Sequence, residues 1–97
     1  MVGESTRTVD YAAPAEVAYR RLQAAIARVG KLVDLNEPTF TVTCRTRYGL
    51  QRVRIRASVH RRDERSCTID FQAFGDDIWG GGARRATDKL IAALGRS

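Results

Sequence analysis

The feature that most constrains this chain is a strict alternation of apolar and polar side chains. Phe40, Val42 and Cys44 alternate with Thr41, Thr43 and Arg45. Val53, Ile55, Ala57 and Val59 alternate with Arg52, Arg54, Arg56 and Ser58, and Cys67, Ile69, Phe71 and Ala73 alternate with Thr68, Asp70 and Gln72. Successive side chains of a strand point to opposite faces, so each run predicts a strand with one dry and one wet face. Parity also restricts pairing, because a slip of one residue would exchange the two faces. Ser5 to Tyr11 repeats the pattern, with Val9 and Tyr11 on one side and Thr6, Thr8 and Asp10 on the other. Lys31 to Leu35 predicts a short further strand before the turn signal Asn36-Glu37-Pro38.

Two segments carry helical spacing instead. Pro14 suits a first turn, after which Val17, Leu22, Ile26 and Val29, with Ala18 and Ala25 between them, form one apolar stripe. Arg20, Arg21, Gln23 and Arg28 fall on the other side, and Gly30 is expected to stop the helix in the usual C′ role of glycine. Ala83, Ala86, Thr87, Leu90 and Leu94 mark the core side of a second helix, which Gly95 ends. The order β-α-β-β-β-β-α predicts an α+β fold: a five-stranded antiparallel sheet with both helices on one face and the other face open. The 97 residues suit a single domain over 1–97, with residues 1–4 disordered.

No apolar run approaches the roughly 18 residues of a membrane span, and Met1 to Arg7 lack a secretory signal, so a cytoplasmic, soluble protein with no membrane partner is expected. Cys44 and Cys67 stand outside any C-x-x-C pair or Cys/His cluster, so both are expected to be buried thiols. Neither a metal site nor a cofactor is expected. The net charge is +6, and of 17 basic residues all except Lys31 and Lys89 are arginine. Arginine favours planar, bidentate contacts with carboxylates or phosphates. Codon usage in a GC-rich genome explains such a ratio equally well.

Register gathers these charges. A two-residue turn at Gly49-Leu50, of type II′, would place Phe40 opposite Val59, Val42 opposite Ala57 and Cys44 opposite Ile55 on the dry side. The same register sets Arg45 against Arg54 and Arg47 against Arg52 on the wet side. Like charges directly opposed weaken a sheet, so an anionic partner is one explanation, and guanidinium groups splayed into water are the other. A loop from Arg61 to Arg65 would set Asp70 opposite Arg56 and Gln72 opposite Arg54. The candidate anion-binding set is Arg45, Arg47, Arg52, Arg54 and Arg56. Nucleic-acid phosphates, an acidic protein or a second subunit would serve, although no aromatic side chain is expected on this face to stack a base.

Other groups offer less. Gly80-Gly81-Gly82-Ala83-Arg84-Arg85 has the glycines and arginines of a phosphate cradle but not the spacing of a known one. The glycines would otherwise let the helix approach the sheet, with Trp79 plugging the core. His60 lies on the polar side beside Arg61 and Arg62 with no nucleophile at hand, and Asp76 and Asp77 serve as helix caps. No catalytic residue is legible, so no enzymatic activity is expected.

The opening Val9-Asp10-Tyr11-Ala12-Ala13-Pro14-Ala15-Glu16-Val17, with the element order, resembles the small end of the helix-grip, or Bet v1/START-like, proteins. The stretch from Phe74 to Arg85 is similar to the join before the last helix in bacterial proteins of the domain-of-unknown-function 1499 type, and the strand order resembles one repeat of the TATA-binding-protein fold. The expected function is a binding or structural module that recognises a partner protein or a small apolar ligand between the last helix and the sheet. Tyr11, Phe40, Phe71, Trp79 and Leu90 would line that pocket, or else form plain core. The alternative is an anion- or nucleic-acid-binding domain, and a homodimer is open to either.

Overall fold

The structure, a computed structural model, describes residues 3–75 and 81–95. Its elements are β1 (Gly3–Tyr11), α1 (Ala15–Val29), β2 (Gly30–Asn36), a 3-10 turn (Glu37–Thr39), β3 (Thr41–Tyr48), β4 (Gln51–Arg61), β5 (Cys67–Gly75) and α2 (Gly81–Gly95). The strands form one antiparallel sheet in the order β1-β5-β4-β3-β2. This is the α+β fold that the alternation predicts.

Both helices cover the dry face. Val42, Cys44, Val53, Ile55, Ala57, Ile69 and Phe71 meet Ala18, Leu22 and Ile26 of α1 and Ala83, Ala86, Leu90 and Leu94 of α2 in one buried cluster. Alanines at the contacts let the helices sit close to the strands. Each fully buried Leu, Ile or Phe contributes about 1.5–3 kcal/mol. Among the described residues, no helix covers the wet face.

The β3–β4 register matches expectation: Val42 faces Ala57, Cys44 faces Ile55, Arg45 faces Arg54 and Arg47 faces Arg52. Gly49 takes φ +63° and Leu50 stays at negative φ, the pattern of a type II′ rather than a type I′ turn. Phe40 does not begin β3. It adopts a left-handed φ of 49° after the 3-10 turn, its carbonyl accepts the Val59 N–H at 3.0 Å, and its ring lies 5.1 Å from that of Tyr19.

Three expectations need correction. First, β1 starts at Gly3, and Gly3 and Glu4 pair with Gly75 and Phe74, because β5 runs far enough to give both a partner. Second, Asp70 lies opposite Ser58, Gln72 opposite Arg56 and Phe74 opposite Arg54. The connecting loop begins one residue later than expected. Arg62 and Asp63 both donate backbone N–H to the Ser66 carbonyl at 3.2 Å, and Asp63 Oδ1 accepts the Arg65 N–H at 2.7 Å. The resulting shift is two residues, so every side chain keeps its face.

Third, Gly30 is not a left-handed cap. Its φ of −171° is extended, and it already belongs to β2. Glycine is required by proximity, since a Cβ there would lie 2.3 Å from the Arg45 carbonyl oxygen. Thr46 Oγ1 donates to the Val29 carbonyl at 2.6 Å and so satisfies one carbonyl of the last turn of α1. Beyond this junction β2 is an edge strand with Leu32, Val33 and Leu35 exposed and a bulge between Leu32 and Asp34. Among the described residues, no helix is long and apolar enough to cross a membrane.

Candidate functional site

The open face is best followed as rungs across the strands. One rung runs Glu4, Phe74, Arg54, Arg45, Lys31; the next runs Thr6, Gln72, Arg56, Thr43, Asp34; a third runs Thr8, Asp70, Ser58, Thr41, Asn36. Arg52 and Arg47 pair beyond the first rung, toward the β3–β4 turn. The register therefore brings all five candidate arginines together. It also adds Lys31, which sequence reasoning leaves unplaced because no tight turn or apolar pattern sets β2 against β3.

Of the acidic groups on this face, Asp70, Glu4 and Asp10 are engaged elsewhere, and Asp34 lies opposite Thr43 on the edge strand. Asp70 Oδ1 accepts the Thr8 hydroxyl at 2.8 Å and its Oδ2 lies 3.0 Å from His60 Nε2. Gln72 Nε2 donates to Glu4 Oε1 at 3.1 Å, and Asp10 pairs with Arg62 at 3.1 Å. Arg7–Asp88 and Arg61–Glu16 form on the helix side. Among the described residues, no carboxylate oxygen comes within 4.0 Å of Arg45, Arg47, Arg52, Arg54 or Arg56. Asp70, the residue expected to neutralise Arg56, is bound to His60 and Thr8 instead.

Phe74 overturns a further expectation. It faces the wet side, half-buried beside Arg54, so the arginine face does hold an aromatic ring. Its parity with Gln72 is visible in the sequence, but the continuation of β5 past Ala73 is not.

Three depressions open here. The largest of the three, about 580 Å³, wraps the sheet edge at Gly30, between Lys31, Arg45, Arg47 and Arg52 on the open side and Val29 and Thr46 on the helix side. A second of about 300 Å³ is bounded by Asp34, Thr43, Arg54, Arg56 and Phe74, and a third of about 380 Å³ by Arg56, Ser58, His60 and Asp70. In the last, Ser58 lies opposite Asp70 and two residues from His60, a juxtaposition that the expected register, two residues away, conceals. Its hydroxyl lies 3.1 Å from Thr41 Oγ1, with no hydrogen bond to the imidazole.

The residues named for a pocket beneath α2 lie apart from these depressions. Phe71 and Leu90 are 1% and 0% exposed in the core cluster. Tyr11 is half-buried and accepts Arg21 Nη1 at 3.2 Å, Phe40 is half-buried against Tyr19, and Trp79 lies outside the described residues. Gly80, Asp76 and Asp77 lie outside them as well. Gly81 and Gly82 form the first turn of α2, where Arg85 donates to Tyr48 Oη at 2.6 Å and lies 5.4 Å above the centre of the same ring. Arg85 is thereby committed to the sheet.

Both thiols are buried and free. Desolvation pushes Cys44 up to about 11 and raises Cys67, which keeps both protonated and weakly nucleophilic. No cluster of three or more His, Cys, Asp or Glu suited to a metal ion occurs among the described residues.

No protein-family model and no curated protein matches the sequence. Solved structures do match the fold. An aromatase/cyclase from a Streptomyces species aligns with a TM-score of 0.59 at 13% identity, over 99% of this chain and 86% of that one. A Thermobifida fusca protein solved by NMR aligns with a TM-score of 0.59 at 18% identity, over 96% and 83%. The likeness supports the helix-grip resemblance and gives none to the 1499-type or TATA-binding-protein-like readings. It also corrects the expectation that no enzymatic activity resides here. A protein with this fold carries the name of an enzyme, so a sequence without a catalytic motif does not exclude chemistry.

Proposed function

We propose that this chain is an anion-binding domain whose recognition surface is the open face of the sheet. The observation that carries this reading is the set of five arginines, four of them opposed in two pairs across β3 and β4 and Arg56 beside them, with no carboxylate within 4.0 Å among the described residues. Opposed like charges weaken a sheet, and an oxyanion bridging two guanidinium groups reverses the sign of that interaction. Thr43, opposite Arg56, adds a hydroxyl alongside. The complete burial of Phe71 and Leu90 weighs toward this face and away from an apolar ligand beneath α2. A protein partner added along β2 is a second reading, supported by Leu32, Val33 and Leu35 exposed on an unpaired edge.

The test is retention on immobilised heparin, with Arg45, Arg47, Arg52 and Arg54 changed together to serine. Earlier elution of the folded variant is expected. Unchanged elution removes the proposal.

A further inference from the structure

One strand borders all three depressions. Arg52 borders the first, Arg54 and Arg56 the second, and Arg56, Ser58 and His60 the third, all on alternate residues of β4. A two-residue step along a strand is about 6.6–6.8 Å, so the line from Arg52 to His60 spans roughly 26 Å. A compact anion would occupy one depression and leave the remaining guanidinium groups opposed as before. A polymer with a charge on each unit meets them in turn, and this step is close to the separation of successive phosphates in an extended single strand.

Phe74 distinguishes among polymers. An extended acidic peptide offers carboxylates at similar intervals, but nothing in it calls for a ring placed beside Arg54 on an otherwise polar face. An unpaired base does, because stacking on an aromatic side chain tolerates any base. A duplex hides its base faces and gains nothing from the ring.

Resting on the anion-binding reading above, we infer that the ligand is a single-stranded nucleic acid laid along β4. Its phosphates meet Arg52, Arg54 and Arg56 in succession, with Arg45 and Arg47 alongside, and one base stacks on Phe74. The span corresponds to a few nucleotides, at the short end of the roughly 4–16 that a single strand-binding domain covers.

Fluorescence anisotropy with a labelled oligothymidylate of about ten nucleotides tests this, beside a duplex of equal length and a poly-glutamate peptide. With five arginine contacts, log affinity should fall against log salt with a slope of up to about −3.5, from about 0.7 per phosphate on single strands. Arg54→Gln should flatten that slope by about 0.7. Phe74→Leu should weaken oligothymidylate binding by about fivefold to a hundredfold, leave the slope unchanged and leave poly-glutamate binding unaffected. Phe74→Trp, which preserves a stacking face, should bind at least as tightly as the parent and covers the case in which the leucine variant does not fold. If Phe74→Leu leaves oligothymidylate binding unchanged, if Phe74→Trp weakens it, or if oligothymidylate binds no more tightly than the duplex or poly-glutamate, the nucleic-acid inference is overturned while the anion-binding reading stands. If none of the polyanions binds, both fall.

Discussion

Changing Arg54 to glutamine should stabilise the free protein while weakening its hold on polyanions. Arg54 faces Arg45 across the ladder and has Arg52 and Arg56 two residues away on its own strand. No carboxylate among the described residues lies within 4.0 Å of it. Guanidinium groups about 7 Å apart in a medium close to water repel by roughly 0.6 kcal/mol, and 0.1 M salt screens this to about 0.3 kcal/mol. Three such neighbours sum to about 1 kcal/mol, in line with what opposed like charges do on a sheet. For a chain of this length that is a rise in Tm of about 4–8 °C. At about 10 mM salt each repulsion recovers to nearly 0.5 kcal/mol, so the rise should grow as salt is removed. Calorimetry at the two salt concentrations reads this directly, with Arg20→Gln on the exposed side of α1 as a control that shifts little. A fall in Tm for Arg54→Gln, or a rise indifferent to salt, would refute the claim that these guanidinium groups stand uncompensated.

Three further outcomes test the frame. Gly30→Ala places a methyl carbon 2.3 Å from the Arg45 carbonyl oxygen and should lower Tm by several degrees, whereas Gly95→Ala, with open space around it, should be nearly neutral by the same melting assay. The Asp63 carboxyl lies below its ordinary 3.8, chiefly because the Arg65 N–H donates to it, so its contribution is full above that pH and fades as the pH falls through the lowered folded value. Asp63→Ala should therefore melt earlier near neutrality, and the gap should close in acid; a gap constant down to about pH 2 would contradict the assignment. Cys44 and Cys67 should resist a thiol reagent at about pH 8 in the folded state and react once denatured, which absorbance of the released chromophore follows.

Alternation makes most of this architecture legible. It sets the faces of β3, β4 and β5, and with a two-residue turn at Gly49-Leu50 it sets the pairing that opposes Arg45 to Arg54. Periodicity does not report where a longer loop closes. The side chain of Asp63 decides that, by accepting a backbone N–H that no alternation rule anticipates, and Asp70 comes to face Ser58 instead of Arg56. Phe74 escapes the same rule because a strand end is defined by its partner rather than by its own residues, and here Glu4 of β1 extends the ladder to meet it. Lys31 joins the basic end through the β2–β3 pairing, which rests on the approach of Gly30 to β3 and not on any apolar pattern. Catalytic capacity is illegible for a different reason, since the chemistry of a fold depends on side chains distant in sequence.

The seam between α1 and β2 leaves no slack between the two layers. Helix passes to strand at a single residue, Gly30, and the hydroxyl of Thr46 ties the helix end to β3 immediately beside Arg45 and Arg47. A ligand that draws those two cations together would tug on α1 itself. Occupancy of one side of the sheet should thus be felt on the other, as slower amide hydrogen exchange in the last turn of the first helix.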